Sequence, residues 1–276
     1  MEVRAISRAI DVLRYIGNAK SGVSLTEIAA SVGLSKATTH RVLQTLQSGE
    51  FVRCDAATGY YSVGAEFLRL AHRADPHESL KRIARPFLES LRAATEETVA
   101  LVVRDHDERL TIDVLLSPQE LKATPAVGSK KPIHAGAPGK ALLADANDAQ
   151  LEALVARTGL PRLTATTVTS AAGLKREIAR VRAVGYAKSI AEAVEGQGAV
   201  SVPIMVQGRV VAAINICGPT FRLRPNRVQR MIKGGVAAAR RIAAELSTTA
   251  SLQAVKGPGR GSSRWFAART KRVTAI

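Results

Sequence analysis

The chain has 276 residues, 46% of them hydrophobic, and a formal net charge of +17. That length and apolar fraction suffice for one large domain or two ordinary ones with real cores, and they exclude a disordered polymer. The charge points to a polyanionic partner, whereas no run approaches the ~18–20 apolar residues of a membrane span, so no membrane partner is expected.

In chain order, apolar Ile6, Ala9, Ile10, Leu13 and Ile16 recur at helical spacing and predict a first helix over 6–16 with an apolar stripe. Ser24-Leu25-Thr26-Glu27 is a capping box, in which hydroxyl and carboxylate satisfy amides at a helix start. The second helix passes through Ile28, Ala29 and Val32 and stops at Gly33. Only Leu34 separates it from Ser35, an N-cap candidate for a third helix to about Ser48. Two short helices joined by so tight a turn are the helix-turn-helix unit. Runs 51–54 and 60–63 are β-formers around a loop ending at Gly59, which predicts a hairpin wing.

A connecting helix is expected over 65–74, and Asp75-Pro76 offers an N-cap with Pro at the first helical position of a long helix to about Glu96. Strand-like runs follow at 99–104, 110–116, 186–190, 200–206 and 210–217, with helical runs at 150–158, 174–184 and 225–246. Gln207-Gly208 signals a hairpin between the last two strands. This mixture predicts an α+β fold whose second domain is built on an antiparallel sheet. The expected organisation is a winged helix-turn-helix domain with linker helix over 1–75, a sensing and oligomerisation domain over 76–246, and a basic, disordered tail over 247–276, where six Lys/Arg meet no acid.

Met1-Glu2-Val3-Arg4 has no apolar leader pattern, and the two cysteines, Cys54 and Cys217, are far apart in sequence. A cytoplasmic chain with reduced thiols is therefore expected. His40, His72, His77, His106 and His134 lack metal spacing, and neither a metal nor a cofactor is expected.

On the third helix, 100° per residue places Thr39, Val42, Leu43 and Leu46 on one side and Ala37, His40, Arg41 and Gln44 on the other. Arg can bridge the O6/N7 edge of guanine and Gln the N6/N7 edge of adenine. Ser35, Lys36 and Thr38 sit where helix-start amides meet phosphate, and Arg53 and Thr58 of the wing can brace the backbone. The candidate partner is double-stranded DNA. An ordinary solvated helix face and a winged domain that binds protein are the competing readings.

These residues also resemble a known family. Ser7-Arg8-Ala9-Ile10, Leu25-Thr26-Glu27-Ile28-Ala29 and the run from Leu34 to Leu46 are similar to the IclR family of bacterial regulators, and Arg8 joins the DNA-contact candidates. Tyr60 to Gly64 resembles that family's wing ending, Gly128 to Ala144 its sensor motif, and Gly185 to Glu192 with Ala212 to Pro219 its closing motifs. The resemblance covers about residues 4–246. It implies a GAF-like sensor domain, homodimers or tetramers, and a ligand-responsive repressor or activator of catabolic or stress operons. Effector binding is then expected to change the separation of paired winged domains, and dimeric reading to need a pseudo-palindromic operator with half-sites ~34–36 Å apart.

By resemblance, the effector pocket involves Ala137, Pro138, Ser189, Glu192, Ala199, Asn215 and Cys217. The loop from His134 to Ala141 can present backbone amides to an anion or serve as a packing joint; it is no P-loop, since Ala141 stands where Ser/Thr is needed. Family members often have acidic residues before Glu192 and Cys in place of Ala199, so the pocket floor is expected to be more apolar here. That favours an aromatic or short-chain acid over a tiny oxo-acid. Glu192 is a candidate hydrogen-bond acceptor, with a solvent-facing or interface charge as the plainer reading; Cys217 reads as core. Two other functions stay open: a sensor-scaffold whose winged domain binds protein, and a small GAF-like enzyme using Cys217 with His134, for which no third, orienting group is evident.

Overall fold

The structure is a computed structural model and describes residues 3–19 and 21–256. The chain divides into two compact units, residues 1–76 and 77–276.

In the first unit, α1 (Arg4–Asn18), α2 (Leu25–Val32) and α3 (Lys36–Ser48) precede β1 (Val52–Cys54) and β2 (Tyr61–Val63), and α4 (Ala65–Ala74) closes it. The capping box forms: the Ser24 amide donates to Glu27 at 2.8 Å and the Glu27 amide to the Ser24 hydroxyl at 3.3 Å. Gly33 ends α2 at φ +66°, a left-handed conformation that a side chain makes costly. β1 and β2 pair antiparallel, Val52 opposite Val63, and Val23 adds a single bridge to Tyr61. The core is Val12, Ile16, Val23, Ile28, Leu43, Val52 and Tyr61. Of the apolar stripe on α1, Ile6 and Ile10 are exposed, at 58% and 42%. This core draws on α1 only from Val12 onward, so the first turns carry their apolar side chains outside it.

The second unit holds α5 (Glu78–Thr95), β3 (Thr98–Asp105), β4 (Glu108–Leu115), β5 (Lys130–Pro132), α6 (Ala137–Leu142), α7 (Asp148–Thr158), α8 (Ala171–Val184), β6 (Ala187–Ile190), β7 (Gln197–Val206), β8 (Arg209–Pro219), a 3-10 turn (Thr220–Arg222) and α9 (Pro225–Lys256). The six strands form one antiparallel sheet in the order β5-β4-β3-β8-β7-β6. The architecture is α+β, and helices cover both sheet faces. Val99, Leu101 and Val103 belong to one core cluster with Leu88 of α5 and Ile242 of α9, while Ala100 and Val102 belong to a second with Ala141 of α6 and Ile178 of α8. Period-two alternation sends neighbouring residues of β3 to opposite faces, and both are dry, so β3 reads as one apolar run.

Three differences from the sequence-based expectations have local causes. α5 begins at Glu78, because His77, at φ −105° and ψ 3°, lies in a turn rather than a first helical residue. β5 is a three-residue edge strand, Lys-Lys-Pro, with no β-forming signature. α9 runs on from Leu246 to Lys256, since residues 247–256 contain neither Gly nor Pro to stop it; the rest of the expected tail lies outside the described residues. No helix among the described residues is long and apolar enough to cross a membrane.

Candidate DNA-reading surface and ligand cavity

On α3 the apolar side is spent on packing. Thr39 and Leu43 are buried and Val42 and Leu46 half-buried against the core, whereas Ser35, Lys36, Ala37, His40, Arg41 and Gln44 are exposed and Thr38 half-buried. The Ser35 hydroxyl caps the helix, accepting from the Thr38 amide at 3.2 Å and donating to the Thr38 hydroxyl at 2.9 Å. Those two hydroxyls are therefore engaged locally, which leaves Lys36 as the cation at the helix start. Arg8 is half-buried on α1. In the wing, exposed Arg53 donates through Nε to Ser62 at 2.8 Å. Thr58 braces the wing tip: its amide and hydroxyl donate to Asp55 at 2.9 and 3.1 Å, and these hydrogen bonds hold the Asp55 carboxyl below its ordinary range.

In the second unit a cavity of about 680 Å³ opens against the face of the sheet that carries α6. It brings together Pro138, Ser189, Ala199, Asn215 and Cys217 of the residues expected there. Two others stand behind its wall. Ala137 is fully buried, and its amide donates to the Ser189 hydroxyl at 2.9 Å, so this amide is already taken. Glu192 is neither a cavity acceptor nor a surface charge. Its Oε1 accepts from Lys140 at 2.7 Å, its Oε2 is buried without a hydrogen-bond partner, and its carbonyl accepts from Thr164 and Thr167 at 3.2 and 2.7 Å. Lys140, 1% exposed, also donates to Glu177 at 2.9 Å.

The segment from His134 into α6 works as a packing joint, because a Cβ on Gly139 would lie 1.7 Å from the Ile133 carbonyl oxygen. His134 is buried with Nε2 3.1 Å from the Pro161 carbonyl, and burial pushes its pKa down. Burial also pushes the Cys217 thiol up to about 12, so it stays protonated and is a poor nucleophile.

The expected apolar floor is incomplete: Arg109 and Lys131 also line the cavity. Arg109 and Thr111 are two apart on β4 and so share a face, as do Ser129 and Lys131 at β5, and all four face the cavity. The phase of Arg109, opposite to apolar Leu110 and Ile112, was a usable signal; the pairing that brings Lys131 beside it was not, because β5 carries none. At the cavity rim stand Leu121, Val194 and Phe221, large apolar residues that are 62%, 40% and 62% exposed.

The chain matches a model of the bacterial transcriptional regulator IclR C-terminal domain over residues 73–244 and one of the IclR helix-turn-helix domain over residues 5–56. It is 32% identical over 230 residues to the transcriptional repressor IclR of Escherichia coli, covering 82% of this chain and 84% of that one. It is also 32% identical over 241 residues to the HTH-type regulator BhcR of Paracoccus denitrificans, 87% and 86% covered. The crystal structure of Thermotoga maritima IclR superimposes with a TM-score of 0.79 at 25% identity, covering 89% of this chain and all of that one.

Proposed function

The chain belongs to the IclR family of bacterial transcriptional regulators, and from that premise we propose that α3 reads an operator while the cavity of the second unit takes the controlling ligand. The carrying observation is the division of α3 into a buried apolar side and an exposed side of Lys36, Ala37, His40, Arg41 and Gln44. Arg41 and Gln44 address base edges, Lys36 addresses phosphate, and Arg8, Arg53 and Thr58 support the flanking backbone. Ser35 and Thr38 set the helix start against the duplex.

The chain acts as a homodimer or tetramer on a pseudo-palindromic operator of a catabolic operon. The repressor name of the Escherichia coli relative favours repression here. The ligand is an acid with substantial apolar surface: the cavity is of drug-pocket size, and Leu121, Val194 and Phe221 stand at its rim. Pro138, Ser189, Ala199, Asn215 and Cys217 contact it, while Ala137 and Glu192 hold the wall.

The test is an anisotropy titration of a selected operator fragment against acids of increasing size. Aromatic or short-chain acids shift operator affinity on this reading. A shift by pyruvate-sized acids alone would overturn the ligand assignment, and a footprint over one asymmetric half-site would overturn the dimeric one.

A further inference from the structure

Arg109 of β4 and Lys131 of β5 are directly opposed in the antiparallel register. Such partners share a face with Cβ atoms ~4.5–5.5 Å apart, and like charges placed so repel. Both side chains line the cavity, and the Arg109 Nε is buried without a hydrogen-bond partner. Among the described residues Lys131 donates to the Ala193 carbonyl alone, at 3.5 Å. Among the residues lining the cavity the sole carboxylate is Glu195, which is exposed, whereas Lys122 adds a third cation. Burial lowers the Arg109 pKa to about 10, and burial together with the Arg109 charge lowers that of Lys131. Arg109 therefore remains charged at neutral pH. A half-buried pair of like charges is costly for the fold alone, and it becomes favourable when a ligand brings the opposite charge.

We propose that Arg109 and Lys131 form a two-cation station and that the ligand of this cavity is an organic dianion, with paired negative charges at one end and an apolar body toward Leu121 and Phe221; this rests on the cavity being the effector site. Arg109 presents a planar fork to one oxyanion and Lys131 a point charge to the second. Two adjacent carboxylates or one phosphate ester supply the same charge.

The test uses the full chain and four probes of one ring size: phthalate, phenyl phosphate, benzoate and neutral benzamide, followed by calorimetry. The expected result is that at least one dianion binds about tenfold or more tightly than benzoate, and that Arg109→Gln and Lys131→Gln each remove this preference. Preference for phthalate over phenyl phosphate assigns the second charge to a carboxylate, and the reverse assigns it to a phosphate. Thermal melting supplies a second readout: Arg109→Met melts at or above wild type, because the repulsion is removed, whereas a structural role for Arg109 lowers the melting point. Binding of benzoate as tight as of both dianions, or full preference retained in both variants, overturns the station and leaves the cavity as a ligand site. Failure of all four probes to bind overturns the cavity reading along with it.

Discussion

Replacing Lys140 by Met removes the cation that holds Glu192 in the wall of the cavity. Lys140 is 1% exposed and sits 2.7 Å from Glu192 and 2.9 Å from Glu177. Glu177 is partly exposed and keeps Arg180 at 3.1 Å, so it is rehydrated at small cost. Glu192 has no such relief, since its second oxygen is already buried without a hydrogen-bond partner. Removing one member of a buried ion pair costs about 3–5 kcal/mol. For a unit spanning residues 77–276 each kcal/mol moves Tm by about 2–4 °C, giving a fall of roughly 6–20 °C. The double variant Lys140→Met/Glu192→Leu removes both charges and recovers much of the loss, because apolar replacement of a buried pair is often neutral. Calorimetric melting of the three proteins checks this. Melting of Lys140→Met within 2 °C of wild type (about 1 kcal/mol), or of the double variant no higher than the single, would refute the reasoning.

Gly33→Ala forces a side chain into φ +66° at the end of α2 and should destabilise the first unit by about 1–2 kcal/mol, read from urea unfolding. His134, its pKa lowered by burial, is protonated more readily unfolded than folded, so stability is full above the ordinary value of 6.5 and falls as pH drops below it. His134→Gln should flatten that slope in melts between pH 7 and 5; an unchanged slope would place its cause elsewhere. Arg41→Ala should weaken operator binding by about 1–3 kcal/mol and relax specificity at one base pair, whereas Lys36→Ala should weaken all sequences alike and reduce the salt slope by about 1.

What the sequence made legible was local chemistry. The Ser24–Glu27 box, the Gly33 stop and the Ser35 cap all act within a few residues, and the two sides of α3 follow from one period. The apolar run of β3 and the hairpin at Gln207-Gly208 are equally local. What stayed hidden depends on partners distant in sequence. Lys140 and Glu192 are 52 residues apart, and their pairing turns an expected ligand acceptor into a wall brace. Arg109 meets Lys131 only through a strand whose residues carry no β signature. Ile6 and Ile10 fit a helical stripe, but periodicity does not say where the neighbouring elements stop covering it.

The central claim is that α3 gives this chain a preferred DNA site. Affinity selection of genomic fragments by the purified full chain, at ~0.15 M salt so that nonspecific phosphate binding is damped, tests it most directly beside Arg41→Ala. Enrichment of a pseudo-palindrome with half-sites about one helical turn apart is expected, and in the variant it is weaker and loses its preference at one base pair of each half-site. No preferred sequence, or the same enrichment by Arg41→Ala, would contradict it.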